Sequence, residues 1–369
     1  MAKYIWQHAK WPNLVWRADS VAAVLADASF KQGRFLGELG SLGFDLKAHA
    51  VFETLSREII GSAAIEGEAL NLEMVRSSVA RRMEIVLSED KTIAPDHAME
   101  ARVDMMMDAT RHWDRPMTLK RLLSWHAAIF PSGYSGLMKI LVGKLREDKD
   151  GPMRVVSRLG VMERVHFVAP PSNALKSEMS RFLEWLRIDS TSPLVKVALA
   201  HLRFLTLHPF EDGNGRIARA MTEYLLAGVE KSGLRFYSLS SQIQHEKDDY
   251  YDELERAQRG GVDVTRWVEW FLGLYGRAIE SAETSLGKIL AKARFWRQNA
   301  NRDFNLHQRE MLNRLLDGFS GHLTSSKWAK ICKVSQDTAS REIKELVEMG
   351  IFCQQGNGRS THYVFLHNP

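Results

Sequence analysis

Apolar residues recur along most of this chain at three- and four-residue steps and seldom alternate, so the pattern predicts a mainly α-helical protein. From about residue 20 to 40, Val21, Val24, Leu25 and Phe30 mark a first helix, which Gly40 and Gly43 break. A second, from about residue 46, sets Val51, Leu55 and Ile59 on one face and ends in Ser62-Ala-Ala-Ile-Glu66-Gly67. Gly67 reads as the stop just past its end. Met74, Val75, Val79, Met83 and Val86 carry the helical pattern on towards residue 115, with a break at Pro95, and Met105, Met106 and Met107 read as core filling. After Arg115-Pro116, an apolar stripe through Leu119, Leu122, Trp125, Ile129 and Phe130 predicts another helix, with His126 as a satisfied core histidine. Between 194 and 207 only Lys196, His201 and Arg203 interrupt the apolar run before Thr206, which predicts a mostly buried helix. Asp263 is an N-cap candidate for a segment whose Trp267, Trp270 and Phe271 close the core.

Strand signals are few. Met153-Arg-Val-Val-Ser and Arg164-Val-His-Phe-Val, rich in β-branched residues, flank Leu159-Gly160-Val161 and predict a hairpin that Pro170-Pro171 ends. Two strands alone are marginal in water, so this hairpin needs a partner. A segment rich in Ala, Lys and Arg over about 276–301 predicts a connecting helix. Three short helices follow, at about 311–317, 325–332 and 335–348, the third capped by Ser335, and then a ribbon over 350–365 with a glycine turn. That order predicts a winged helix.

Composition narrows the class. The chain has 369 residues, 45% of them apolar, ordinary for a globular protein and enough for two or three domains. No apolar run approaches the roughly twenty residues that span a bilayer, and the N-terminus lacks a signal-peptide core, so a cytoplasmic protein with no membrane partner is expected. Cys332 and Cys353 suggest neither a disulfide framework nor a zinc site. Trp6, Trp11 and Trp16 are expected to pin the N-terminal segment onto a core. The net charge of +5 belongs to the C-terminal part, where residues 286–369 hold 13 Lys+Arg against 7 Asp+Glu.

The chemistry is concentrated at 208–219, His-Pro-Phe-Glu-Asp-Gly-Asn-Gly-Arg-Ile-Ala-Arg. Pro209 ends the preceding helix, and the pattern through Ile217, Met221 and Leu225 restarts one at Arg216, so the loop abuts a helix N-terminus. Unpaired N–H groups and the positive end of the helix dipole let Gly213, Asn214, Gly215 and Arg216 cradle an anion. The Arg216 and Arg219 guanidinium forks suit a polyphosphate. Asp212 supplies a hard oxygen of the kind Mg2+ accepts beside phosphates, and His208 can take a proton from a hydroxyl near neutral pH. An EF-hand fails because Ile217 stands where its glycine is needed, a Walker A loop is absent, and a bare helix-turn-helix connection leaves His, Asp and two Arg unexplained.

These twelve residues resemble the signature of Fic-domain proteins, His-x-Phe-x-Asp/Glu-Gly-Asn-Gly-Arg-x-x-Arg, at all eight defined positions. The resemblance implies a Fic-type helical core with a small β-hairpin flap, and transfer of AMP from ATP, with Mg2+, to a Ser, Thr or Tyr hydroxyl of a target protein. It implies His208 as the base, Asp212 as the metal ligand, Gly213 and Gly215 as anion-hole amides, and Asn214 on the α-phosphate. Arg216 and Arg219 would hold the outer phosphates, and Phe210 would anchor the loop. Ser62, Glu66 and Gly67 resemble the family's inhibitory motif, Ser/Thr-x-x-x-Glu-Gly/Asn, whose glutamate pairs with the arginine at the Arg219 position. A carboxylate on that fork displaces the γ-phosphate, which implies autoinhibition; a related implication is removal of AMP from a modified target.

The 153–168 hairpin resembles the family's flap, whose strand edge would bind the target by main-chain hydrogen bonds. Tyr251 and Gln258, two turns apart on one helical face, can present a ring and an amide to adenine, although Gln258 stands where the family commonly has asparagine. The expected domains are an N-terminal helical region with the inhibitory motif over 1–115, the catalytic core over 116–275, a connecting helix over 276–303 and the winged-helix part over 304–369. On its third helix Gln336, Ser340, Arg341 and Lys344 are available to DNA, against Asp337, Glu342, Glu345 and Glu348; DNA binding and docking or homodimerisation stay level. A DNA-binding regulator with a nucleotide-sensing Fic core is therefore the alternative function, and transfer of UMP or phosphocholine stays open within the enzyme class.

Overall fold

A computed structural model of the chain describes residues 2–40, 44–85, 97–149, 151–159, 162–316, 319 and 321–366. Gly43, Val86, Pro95, Gly160, Val161 and Asp317, all used in the sequence reading, lie outside the described residues. Those described are mainly helical, with fifteen α-helices and three two-stranded antiparallel ribbons, in two compact units: residues 1–34 with 48–282, and residues 35–47 with 283–369. Among them, no helix is long and apolar enough to cross a membrane.

In chain order the helices before the first ribbons are α1 (Ala18–Gly40), α2 (Phe44–Ile65), α3 (Leu72–Met83), α4 (His97–Arg111) and α5 (Leu119–Ile129). Ribbon β1 (Tyr134–Ser135) with β2 (Met138–Lys139) and ribbon β3 (Arg154–Leu159) with β4 (Met162–Val168) follow, the second with a register shift between Val155 and Val156. Then come α6 (Ser172–Ile188), α7 (Pro193–Leu207), α8 (Asn214–Glu230), α9 (Leu239–His245), α10 (Lys247–Arg259) and α11 (Thr265–Ser285).

The first unit is built on α7 against α8, with α4 on the other side of α8. Every residue of α7 from 194 to 207 except Lys196 is buried, as its apolar run demands. His201 is tolerated there because both ring nitrogens are satisfied. Thr222 Oγ1 donates to the Ala218 carbonyl and accepts from His201 Nδ1 at 2.8 Å, and the Tyr250 hydroxyl lies 3.0 Å from Nε2. Met105, Met106 and Met107 are all buried. The N-terminal tryptophans hold their segment down through indole N–H groups, Trp6 on the Val168 carbonyl at 2.7 Å and Trp11 on Glu178 at 3.3 Å. Tyr4 packs edge-on against Phe167 of β4, so the hairpin has an apolar partner.

The expected connecting helix is not a single element. Helix α11 continues through Gly273 and Gly276 because Ala278, Ile279 and Ala282 bury the same face as Trp267 and Phe271, and packing outweighs the weak helix propensity of glycine. The chain then restarts as α12 (Gly287–Gln298).

The second unit has its own core around Phe295, Met311, Leu312, Trp328, Ile343 and Phe352. Helices α13 (Leu306–Leu316), α14 (Ser325–Cys332) and α15 (Gln336–Glu348) lead into β5 (Phe352–Gln355) and its partner β6 (His362–Phe365). Ser335 caps α15 by accepting from the Thr338 N–H. Glu342, one of the acidic residues set against DNA binding, is buried and accepts from Trp328 Nε1 at 2.7 Å, His307 and Asn305. Burial pushes the Cys332 thiol up to about 11, so it is inert at neutral pH.

The buried histidines make stability depend on pH. Burial pulls His201 down to about 3 and His208 to about 4, while the unfolded chain titrates near 6.5. Below 6.5 the unfolded state therefore binds more protons, and stability is lost as pH falls through that value towards the folded values. Each histidine alone contributes a loss of about 1.4 kcal/mol between pH 7.5 and 5.5, while Glu223, pushed up to about 8 by burial, contributes a gain over the same interval. The stability advantage of the wild type over a His208→Gln variant in urea unfolding should therefore shrink by about 1.4 kcal/mol from pH 7.5 to 5.5. A difference that stays constant over that interval is the contrary result.

Candidate functional site

The loop between α7 and α8 is strained and braced from three sides. His208 caps α7 in the left-handed region, φ 48°, a conformation that costs a non-glycine residue about 1–2 kcal/mol. Arg146 holds it there: Nε donates to the His208 carbonyl at 2.7 Å, its backbone N–H donates to the Pro209 carbonyl at 2.9 Å, and its other nitrogens reach Asp148 and the Pro170 carbonyl. Arg146 belongs to no motif in the sequence, and nothing near it there marks it out. From a second side, Phe210 is fully buried and stacked on His126 at 4.3 Å. His126 Nδ1 accepts from the Gly143 N–H and Nε2 donates to the Asp212 carbonyl, so this core histidine is satisfied by the loop itself.

Asn214 supplies the third brace, and here the structure departs from expectation. Its amide accepts from the Phe210 N–H at 3.0 Å and donates to the Phe210 carbonyl at 2.8 Å, so the side chain is engaged within the loop. Gly213, φ 80°, turns the chain into α8, but its N–H donates to Asp212 Oδ1. The expected four-amide cradle therefore narrows to Asn214, Gly215 and Arg216, whose N–H groups have no acceptor among the described residues.

A cleft of about 490 Å3 opens over this helix end, lined by His208, Gly215, Arg219, Glu66, Tyr251 and Gln258 together with Val155, Val156, Ser157, His166 and Phe167 of the hairpin. His208 Nδ1 donates to the Leu205 carbonyl, which leaves Nε2 as the basic nitrogen. Burial first, then the Arg146 charge, pulls this imidazole down to about 4. Tyr251 is half-exposed and reaches the Ile65 carbonyl at 3.4 Å, whereas Gln258 is buried. Arg259 takes the Val165 and His166 carbonyls of β4, and the facing strand β3 receives no such bonds among the described residues.

The two arginines do not converge. Arg219 points into the cleft and is 1% exposed, with Nε donating to Ser62 Oγ at 2.9 Å and Nη2 to the Ser62 carbonyl and to Glu66 Oε1 at 2.8 and 2.9 Å. Arg216 lies outside the cleft lining, over the Phe130 ring at 4.8 Å, and pairs with Glu68 at 2.9 Å. Positions three apart on a helix are neighbours, and the two long side chains separate because each turns to a different carboxylate, Arg216 to Glu68 and Arg219 to Glu66. Glu68, which sequence reasoning missed, also binds Arg102 at 2.7 Å. It follows Gly67, whose φ of 79° ends α2 and turns the chain towards Arg216, and no motif singled it out.

Helix α2 is placed by a close crossing. A Cβ at Gly61 would lie 2.8 Å from the Ser241 nitrogen, and Glu58 accepts from Ser238 Oγ and the Ser240 N–H at 2.7 and 3.0 Å. That seat brings Glu66 directly over Gly215: a Cβ there would be 2.1 Å from Glu66 Oε1. The carboxylate thus lies in the cradle where an anion is favoured. Asp212 is 41% exposed, accepts from Ser135 Oγ and lies 3.5 Å from Arg216 Nη2, outside the cleft lining.

Residues 116–226 match the model of the Fic/DOC family, and residues 4–85 match a domain of unknown function (DUF4172). Proteins named protein adenylyltransferase Fic are similar: one from Nematostella vectensis is 24% identical over 58% of this chain and 45% of its own length. One from Drosophila grimshawi is 28% identical over 57% of this chain and 39% of its own, so the chain spans less than half the length of these curated relatives. Among solved structures, a Fic family protein from Desulfovibrio desulfuricans shares the fold with a TM-score of 0.62, at 21% identity over 96% of this chain and 98% of that one. A Fic domain containing signalling protein from Bacteroides thetaiotaomicron has a TM-score of 0.50, at 18% identity over 73% of this chain and 97% of that one.

The turn at Gly213 provides a direct check on the loop. A Cβ there would meet Phe130 Cε2 at 2.8 Å, at a positive φ that already strains any side chain. Gly213→Ala should destabilise the protein by about 2 kcal/mol or more in urea unfolding. An unchanged midpoint would mean that the loop has another way to turn.

Proposed function

From the premise that residues 116–226 form a Fic/DOC-family domain, we propose that the protein transfers AMP from ATP to a Ser, Thr or Tyr hydroxyl of a target protein, and that α2 holds this activity down. The observation that carries the reading is the meeting of His208, Gly215, Arg219 and Glu66 in one cleft, with Tyr251 and Gln258 at its wall. In the reaction, His208 Nε2 takes the hydroxyl proton, the oxygen forms a bond to the α-phosphorus, and the bond to pyrophosphate breaks. The N–H groups at the start of α8 meet the phosphate charge, and Tyr251 with Gln258 receives the adenine. The open side of β3 is where an extended target segment would add its main-chain hydrogen bonds.

Asp212 is the residue to hold Mg2+. No cluster of three ligands occurs among the described residues, and one half-exposed carboxylate fits an ion that takes one or two protein oxygens and completes its shell with phosphates and water. Such an ion supplies positive charge to the phosphates; this chain's part is to present the carboxylate, which Ser135 orients.

Autoinhibition follows from charge. Glu66 occupies the Arg219 fork and the space over Gly215, and Glu68 holds Arg216, so both arginines are engaged by carboxylates from the end of α2. The γ-phosphate must displace Glu66 to reach Arg219. Removal of AMP from a modified target, with Glu66 positioning water, is the related activity, and incubation of an AMP-modified target with the wild-type protein tests it. For the second unit we read α13 to β6 as a winged helix, with Gln336, Ser340, Arg341 and Lys344 exposed on α15.

Incorporation of radiolabelled AMP, with ATP and Mg2+, separates the parts of this reading. Glu66→Gly should raise incorporation, self-modification included, and Glu68→Ala should raise it less, because Arg216 is outside the cleft. His208→Ala in the Glu66→Gly background should lower it by roughly 100- to 10,000-fold. Equal or lower activity in Glu66→Gly would sink the autoinhibitory reading, and full activity without His208 would remove the base. The pH profile is a separate measure: a base pulled down to about 4 stays neutral at lower pH, so the acid limb of kcat/KM should lie well below 6.5. A limb near 6.5 would place the working base elsewhere.

A further inference from the structure

We propose that a second cleft, between the N-terminal segment and helices α6 and α7, binds a small flat organic monocarboxylate through Arg203. The cleft has a volume of about 370 Å3, within the range of small-molecule sites, and shares no lining residue with the one at His208. Trp16 and Trp185 give it indole surfaces, Pro12 and Leu199 add apolar wall, and Arg181, Asp189 and Arg203 supply its charge.

Arg203 is the anomaly. It stands on the apolar helix α7, is 4% exposed, and its guanidinium lies over Trp185 at 4.4 Å and Phe182 at 5.5 Å. Its Nε is buried with no hydrogen-bond partner, and among the described residues no carboxylate comes within ion-pair distance of it. The other arginines buried as deeply have acceptors: Arg146 has Asp148 and two carbonyls, Arg219 has Ser62 and Glu66, and Arg235 has Glu223 and Glu230. Burial pulls Arg203 down to about 10, so it is charged at neutral pH. A cation in this position without an acceptor is strongly unfavourable, and stacking on an indole offsets only part of that.

The nearby acids are already engaged. Glu178 accepts from Trp11 and Arg181, and Asp189 Oδ1 accepts from the Thr191 N–H at 2.9 Å. An incoming carboxylate would supply the acceptor that Arg203 lacks, in the planar geometry a guanidinium prefers. Arg181 is already paired with Glu178, so Arg203 is the cation of the lining without a carboxylate of its own, and with Asp189 also in the lining this matches a monoanion better than a phosphate dianion. The two indoles favour a flat or aromatic body on that carboxylate.

Calorimetry and tryptophan fluorescence on the full chain, titrated with sodium benzoate and separately with inorganic phosphate, test the proposal. Benzoate should bind at one site and change the emission, with phosphate weaker. Arg203→Met should weaken benzoate by at least about tenfold, since it removes one half of a buried charge pair. His208→Ala should leave benzoate binding unchanged, which keeps this test independent of the transferase reading. If Arg203→Met does not fold, Trp16→Ala at the cleft wall should also weaken binding. No binding of benzoate, tighter binding of phosphate, or benzoate binding that survives in the folded variant would each overturn the proposal.

Discussion

The site rests on one constraint: the guanidinium of Arg219 is buried and its charge must be met. Ser62, in the last turn of α2, and Glu66, just past its end, meet it together. That requirement sets where α2 lies. Gly61 permits a backbone contact that any side chain would block, and Glu58 fastens the same helix to the start of α9. Once α2 is seated there, Glu66 has no room unless residue 215 is glycine. The glycine at the start of α8 is thus required by the carboxylate seated over it.

Around this contact the loop itself does little to hold its shape. His208 in a left-handed conformation and Gly213 in its turn are unfavourable for a free chain, and the restraints come from outside: Arg146 on the carbonyls, His126 on Asp212 and Phe210. Asn214 adds the internal clamp. The result is an imidazole whose Nδ1 is tied to Leu205 and whose Nε2 is left on the cleft, in surroundings that keep the ring neutral. Strain at His208 and rigidity around it are two aspects of one arrangement.

Buried arginines recur through the first unit, and the way each is satisfied separates structure from chemistry. Arg235 sits in a closed network with Glu223, Glu230 and Tyr237, none of which lines either cleft described above. Arg216 is closed by Glu68 and Phe130. Arg219 is closed by a residue whose carboxylate is 31% exposed, and Arg203 has indole contact without an acceptor. Burial is the same in all four, and the partner differs.

Much of this was legible in the chain. Four-residue apolar steps in α2, the unbroken run of α7, Gly67 as a stop and Ser335 as a cap depend on neighbours within a turn or two, so local periodicity exposes them. The concentration of His208, Asp212, Gly213, Gly215 and two arginines between two helices marked a site for the same reason, and Ser62 with Glu66 became readable through resemblance. What stayed hidden depends on contacts more than sixty residues apart in sequence or on the direction a side chain takes. Arg146 bracing His208 spans 62 residues, and Glu68 meeting Arg216 spans 148. The inward turn of Asn214, the burial of Glu342 and the persistence of α11 through its glycines belong here too. By itself the sequence determined the helical class, the element positions and the chemical types at the site, because those follow from local spacing. Only the tertiary structure decided which charges meet, since a guanidinium's partner is set by what the fold brings within about 3 Å of it, and spacing along the chain does not contain that distance.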